Sequence, residues 1–450
     1  MFLIYSLLFS VGVILTAPYY LWRLRGNVFS GAGWRERFGF LPSSIQQAAR
    51  EDEPGALWVH AVSVGETLAV APLVEELQRR YPERKVFLSQ VTPAGRKAGE
   101  SRLPGVEGRF YLPLDWKWSV RRVFARLQPA LLLIVETELW PNLLRAAQAS
   151  GTRAVLVNAR LSDRSFQGYR LARPFMRRVL ECVDWIGAQS PKDAERFRLL
   201  GAKPERVVVT GNVKFDIKPP QSGDVVSLLA RALGEARRGP VLVAGSTMPG
   251  EEALLLPAWE EIRRRHPRAL LILAPRHPAR FGQVTQLLTG EGRPFVRRTT
   301  LASGGPKLSG QLASCEILLL DTIGELAGVF AVADVVFVGG SLVATGGHNL
   351  LEPAYWSKPI LFGPHMENFH DVSALFLGAG AAVRVRDARE LADVALDLLH
   401  NETRRRRLGE AAKEVLVRES GATERILDRL REWLETGVVA SSAIPGSKTR

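Results

Sequence analysis

Two series of short apolar runs, each run followed by a stretch of helical periodicity, constrain this chain more than any other feature. The first series falls at 57–62, 86–89, 131–135, 154–158, 185–188 and 207–210; the second falls at 241–244, 270–274, 317–320, 335–338, 359–362 and 382–385. Runs this short, apolar along their length and alternating with helices, suit strands buried on both faces of a parallel sheet. The expected fold class is α/β: two doubly wound Rossmann-like domains facing each other across a cleft. Residues 218–224, KPPQSGD, have the composition of a linker between the two series. The expected division is 1–22 as a membrane anchor helix, 23–217 as the first domain, 218–224 as linker, 225–436 as the second domain with closing helices, and 437–450 as a disordered tail.

Composition narrows the partners. At 450 residues with 46% hydrophobic content, the chain can build about two cores. Cys182 and Cys315 are its only cysteines, which excludes a disulfide framework and a cysteine metal cluster and fits a reducing compartment. The seven histidines lack HExxH spacing, and the nearest pair, His365 and His370, has no evident third ligand, so no metal is expected. A formal charge of +14 calls for an anionic partner. Residues 2–22 carry no charge and can cross or deeply enter a bilayer. A cleaved signal peptide fits less well, because a positive n-region is missing and Ala17-Pro18-Tyr19-Tyr20 is a poor cleavage site. Arg23, Arg25, Arg35 and Arg37 follow and should stay cytoplasmic beside anionic headgroups, with Tyr19, Tyr20 and Trp22 as an aromatic belt. Nucleic acid is not expected as a partner: there is no zinc-finger, RNA-recognition or helix-turn-helix signature.

Ligands of doubly wound sheets bind beyond the carboxyl ends of the strands, so the residues after each run are the candidates. After 57–62 comes Ser63-Val64-Gly65-Glu66, with Glu66 in the first turn of a helix. The helix N-terminus favours an ionised carboxylate, as a general base requires, but Ser-x-x-Glu is also a capping box, and both roles stay open. After 131–135 come Glu136 and Glu138, which period two would point to one side of a strand, and then Asn142 as a helix N-cap. After 207–210, Lys214 can meet a phosphate leaving group or stand as a surface lysine. In the second series the rim carries Ser246 and Thr247, Arg276 and His277, Asp321 to Glu325, and the loop Gly339, Gly340, Gly346, Gly347. Those glycines leave backbone N–H groups open to a phosphate, and Asn349 and Glu352 share a helical face that can hold ribose hydroxyls.

Seven ordered motifs, HAVSVGE, ETELWPN, GNVKFD, APRHP, DTIGEL, GGSLVATGGHNLLEP and FGPHMENF, resemble those of the 3-deoxy-D-manno-octulosonic acid (Kdo) transferases of lipopolysaccharide biosynthesis. The likeness runs from GWRERFG after the anchor to the C-terminal helices; Met248 departs from the histidine often found there. The resemblance implies a glycosyltransferase B fold, with a CMP-Kdo donor on the C-terminal domain and a lipid A precursor (lipid IVA) on the N-terminal one. It implies inverting transfer at the cytoplasmic face of the inner membrane, without cofactor or metal. Glu66 matches the family's catalytic base, and Glu136 and Lys214 its transition-state stabilisers. Arg276, His277, Ile323, Gly324, Glu325, Asn349, Leu350, Leu351 and Glu352 match its CMP-binding segments. The competing expectations are a UDP-sugar transferase or epimerase, and a membrane-bound binding module in which Glu66 is only a cap.

Overall fold

The computed structural model describes residues 1–23, 31–50, 55–217, 224–302 and 304–435. The chain forms two compact units, Met1–Asp216 with Ser420–Arg450, and Ile217–Glu419. Residues 218–223 of the expected linker, and the expected tail, lie outside the described residues.

The first unit holds strands β1 (Ala56–His60), β2 (Val86–Gln90), β3 (Gly108–Tyr111), β4 (Pro129–Val135), β5 (Arg153–Ala159), β6 (Trp185–Ala188) and β7 (Val207–Val209). They form one sheet in the order β3-β2-β1-β4-β5-β6-β7, with every neighbouring pair parallel. Side chains alternate across it. Trp58 packs with Phe110 and Phe124 on one face, while Leu57 and Val59 face Val70, Leu73 and Leu77 on the other. The second unit holds β8 (Val241–Thr247), β9 (Leu270–Pro275), β10 (Phe295–Arg297), β11 (Ile317–Leu319), β12 (Val335–Val338), β13 (Ile360–Phe362) and β14 (Val383–Arg384). Their order is β10-β11-β9-β8-β12-β13-β14, again parallel throughout. The strand order reverses between β1 and β4 in one sheet and between β8 and β12 in the other. These reversals open the crevices where such folds bind ligands.

Each sheet has one strand more than the apolar runs indicated. β3 and β10 are edge strands, and their sequences, GRFY and FVR, mix polar and apolar residues because an edge is not buried along its whole length.

The C-terminal helical stretch also divides differently. It breaks at Ser420 and Gly421, where Gly421 has a φ of 90°, into helices Glu402–Glu419 and Ala422–Glu435. The last helix does not close the second unit. Its Ile426, Leu427, Leu430 and Leu434 complete the core of the first, and the Asp216 carboxylate accepts hydrogen bonds from the Gly421 and Thr423 amides at 2.6 and 2.5 Å.

The N-terminal helix, Phe2–Arg23, lies against the first unit through an aromatic and polar face. Tyr5 stacks on Phe175, and Phe9 meets Trp116 and Trp140 edge-on. Ser6 Oγ accepts from Asn142 Nδ2 at 3.0 Å, and Ser10 Oγ from Trp116 Nε1 at 2.9 Å. The opposite face, Leu3, Ile4, Leu7, Leu8, Val11, Ile14 and Leu15, is exposed. An anchor that crosses or deeply enters a bilayer was expected from the uncharged run. Among the described residues, however, no helix is long and apolar enough to cross a membrane. The side chains of Tyr19, Tyr20, Trp22, Arg23 and Arg25 lie outside the described residues.

Candidate active site

In the first unit, β1 ends at His60 and the chain turns into helix Val64–Arg80, capped by Ser63. Gly95 lets this turn sit tightly, since a Cβ there would be 3.0 Å from the Val62 carbonyl oxygen. Glu66 occupies the first helical turn. Its Oε2 accepts from the Val62 amide at 2.8 Å and its Oε1 from the Ser63 hydroxyl at 2.9 Å, so the carboxylate closes the helix start through the amide one residue before the cap, a variant of the expected capping box. The carboxyl is nonetheless pushed up to about 7, chiefly by burial and further by the charges of Glu136 and Glu138, against the hydrogen bonds from Val62 and Ser63. Each carboxylate oxygen keeps a second lone pair, so the cap does not prevent proton transfer.

Glu136 follows β4 directly in a left-handed conformation, φ 59°, with its amide donating to the Val157 carbonyl at 3.0 Å. That turn removes Glu136 from the strand, so strand alternation does not relate it to Glu138. Glu138 accepts from Trp140 Nε1 at 2.9 Å, and burial raises its carboxyl. Lys214 sits on the short turn Val213–Phe215 after β7, with its Nζ 3.9 Å from Glu136 Oε1. Asn158, fully buried with φ 55°, accepts the Val213 amide on Oδ1 at 3.1 Å and so fixes the turn that carries Lys214. Glu66, Glu136 and Lys214, far apart in sequence, thus gather at the β1–β4 crevice. Asn142 is not the expected N-cap: it lies inside helix Pro141–Ala149, whose first amides, Asn142 and Leu143, are held at 2.9 and 2.8 Å by the buried Asp115 carboxylate.

The β8–β12 crevice is built differently. The glycine-rich loop after β12 was expected to offer its amides to a phosphate. Instead the amides of Gly340, Ser341 and Leu342 donate to the Glu251 carboxylate at 2.6, 3.0 and 2.9 Å, joined by that of Met248 at 3.1 Å. Glu251 is fully buried at the start of helix Glu251–Arg265. Next to it, Glu252 pairs with Arg280 and accepts the Thr247 hydroxyl at 2.6 Å. Sequence reasoning passed over both acids; the available signal was a pair of carboxylates directly after Gly250, at the start of the helix that follows the strand beside the reversal.

The other candidates of the second unit separate into two groups. His348 is pushed down to about 4 by burial and by the charges of Arg276 and His277, and it stays neutral at physiological pH. Burial raises the Glu352 carboxyl, while Asn349 and the charge of Arg276 act against this; Asn349 Nδ2 donates to Glu352 Oε1 at 3.3 Å. Arg276, His277, His348, Asn349 and Glu352 therefore share one neighbourhood. Gly340 packs against it, because a Cβ there would stand 2.9 Å from the His348 ring. Leu350 and Leu351 have buried side chains, so only their backbone can touch a ligand. After β11, Ile323 is 67% exposed and Gly324 has a φ of 90°, while Glu325 is held by Arg298 at 2.8 Å and by the Thr322 hydroxyl.

Residues 32–217 match the model of a family described as 3-deoxy-D-manno-octulosonic-acid transferase (kdotransferase). The chain is 34% identical to a 3-deoxy-D-manno-octulosonic acid transferase of Haemophilus influenzae, over 90% of this chain and 92% of the relative. It is 38% identical to one of Bordetella pertussis, over 92% and 96%. Among solved structures it is similar in fold to a UDP-GlcNAc 2-epimerase from Neisseria meningitidis, with TM-score 0.54 and 13% identity over 84% of this chain and 100% of that one.

Proposed function

This chain belongs to the Kdo transferase family of glycosyltransferases, and from that premise we propose that it moves Kdo from CMP-Kdo to a hydroxyl of a lipid A precursor in lipopolysaccharide assembly, with inversion and with Glu66 as general base. The acceptor O–H gives its proton to a Glu66 carboxylate oxygen as the acceptor oxygen bonds to the anomeric carbon of Kdo. On the opposite side the bond from that carbon to the CMP phosphate oxygen breaks, and the electron pair leaves with CMP.

One observation carries the reading. A helix-capping carboxylate at the β1–β4 crevice is pushed up to about 7, near the pH at which it has to accept a proton, with Glu136 close enough for its charge to add to that rise and Lys214 3.9 Å from Glu136. Lys214 is suited to balance charge gathering on the departing phosphate, and Glu136 to hold that ammonium or counter positive charge on the sugar ring. For the donor, Arg276 and His277 offer cationic and hydrogen-bonding groups to the phosphate, and Asn349 and Glu352 offer an amide and a carboxylate to the ribose. The backbone at Leu350 and Leu351 and the exposed turn Ile323, Gly324 and Glu325 complete the donor set. The apolar outer face of the N-terminal helix supports seating at the cytoplasmic face of the inner membrane, with the helix in the interface plane.

The deciding experiment is mass spectrometry of the products from lipid IVA and freshly generated CMP-Kdo in EDTA, with wild type beside a folded Glu66→Gln variant. Kdo-bearing lipid from the wild type alone is the expected result. A folded wild type that forms none would sink the proposed reaction, and equal product from both proteins would sink the role of Glu66.

A further inference from the structure

The first unit carries a pocket that the proposed chemistry does not use. It has a volume of about 760 Å³ and is bordered by helix Pro141–Ala149, helix Arg173–Leu180 and the first turn of the N-terminal helix. Arg145, Arg173, Arg177 and Arg178 line it, and the one acidic residue in the lining among the described residues, Glu181, stands 3.4 Å from Arg177. Four guanidinium groups around one cavity repel one another unless an anion enters.

Its surroundings say where that anion comes from. The Arg145 guanidinium lies 4.9 Å over the ring of Phe2, and Phe2 and Tyr5 both pack on Phe175, at 5.7 and 5.8 Å. The pocket is therefore continuous with the helix whose outer face exposes Leu3, Ile4, Leu7 and Leu8. Leu171, just before the second bordering helix, is 89% exposed. Apolar side chains beside arginines are the pattern of a surface that puts leucines among acyl chains and guanidinium forks on the phosphates above them. The acceptor's own phosphates fit less well. Arg145 and Gln148 lie at the middle and in the last turn of a helix that starts beyond the carboxyl end of β4 and runs back toward the start of β5, away from the rim that carries Glu66, Glu136 and Lys214.

We propose that this pocket binds the phosphodiester headgroup of an anionic phospholipid and so seats the first unit on the membrane. The inference deepens the membrane reading of the N-terminal helix and rests on it. Arginine suits the role because its planar fork takes two phosphate oxygens at once and keeps its charge at any physiological pH.

The test is flotation of the full chain with vesicles of phosphatidylcholine alone or mixed with phosphatidylglycerol. The variant R173Q/R177Q/R178Q is compared with K97Q/R102Q/K203Q, which removes the same charge from exposed positions elsewhere in the unit. Wild type should bind the mixed vesicles more tightly. The first variant should lose that gain, on the order of a hundredfold for three arginines at a membrane surface, and keep its binding to phosphatidylcholine; the control should retain the gain. Equal losses in the two variants overturn the proposal, as does a wild type indifferent to phosphatidylglycerol. Competition by inorganic phosphate as effective as that by glycerophosphate overturns it in favour of a free-phosphate site. In neutral-detergent micelles the first variant should keep the wild-type KM for the acceptor, and a raised KM overturns the proposal by assigning the pocket to the acceptor's phosphates. L7D/L8D should abolish binding to both vesicle types; if it changes neither, the membrane reading falls and the proposal falls with it.

Discussion

The crevice between β1 and β4 and the crevice between β8 and β12 stand at the same kind of place, where the order of a parallel sheet reverses, and each has a glutamate at the start of the following helix. The difference lies in how those carboxylates are held. Glu66 accepts two hydrogen bonds, is half-buried, and is pushed up to about 7 chiefly by that burial, with the charges of Glu136 and Glu138 adding to it. Glu251 is fully enclosed and accepts four backbone amides, three of them from the loop across the crevice. A carboxylate with spare lone pairs and a pKa near the working pH can take a proton. One whose oxygens are committed to four donors serves as a clasp, standing where a phosphate would stand in a loop with free amides. The same topology thus supplies a carboxylate able to take a proton in one unit and a structural clasp in the other.

Replacing each glutamate tests that contrast most severely. Glu66→Gln keeps a capping acceptor but cannot take a proton, so kcat should fall by roughly 10²- to 10⁴-fold while the melting temperature scarcely moves. Glu251→Ala should do the reverse to stability. It strands four buried amides and opens a cavity, at a cost of about 3 to 5 kcal/mol, readable as a lower melting temperature. Formate, small enough to re-enter the gap, should restore part of the loss. A stable Glu251→Ala protein would mean that the loop does not depend on the clasp, and the two crevices would then differ less than their geometry indicates.

These two glutamates also mark what the sequence could tell. The place of Glu66 was legible because Ser-x-x-Glu before an apolar run marks a first helical turn, and Glu136 and Lys214 follow other strands of the same sheet. Glu251 was not legible, because three of its four partners are backbone amides some 90 positions away, and backbone partners leave no trace in side-chain identity. The inner strands could be read from uninterrupted apolar runs such as LLLIV at 131–135. The edge strand GRFY could not, since an edge tolerates arginine. The helix Ala422–Glu435 was assigned to the wrong unit because amphipathic periodicity shows that a helix has a core face but not which core receives it. The N-terminal helix was read by hydropathy, which weighs Tyr5, Ser6 and Ser10 as isolated polar residues. In the fold they form one face, hydrogen-bonded and stacked on the first unit.

The pH dependence sharpens the contrast at a smaller scale. Since Glu66 in the folded chain sits at about 7 against an ordinary value near 4.5, kcat/KM should climb about tenfold per pH unit below that point and level off above it. Stability runs the other way. A raised carboxyl pKa means that folding favours the protonated form, so this contribution is whole below the ordinary value and is lost as pH rises through the folded one. Urea melts of wild type and Glu66→Gln across that window should show the wild type alone losing stability. Parallel curves for the two proteins would assign the titration to another group.

The smallest effect separates the two roles of Glu66 within one side chain. The Ser63 hydroxyl caps the helix by accepting the Glu66 amide at 3.3 Å and donates to Glu66 Oε1 at 2.9 Å, a contact that holds the carboxyl below where burial alone would put it. Ser63→Ala removes both. Loss of the cap should cost about 1 kcal/mol, and loss of the donated hydrogen bond should move the acid limb of the rate profile to higher pH. If Glu66 served only as a cap, the stability cost would appear with no shift in the profile. Both changes together, each modest, are what a carboxylate that closes its helix and still takes the acceptor's proton requires.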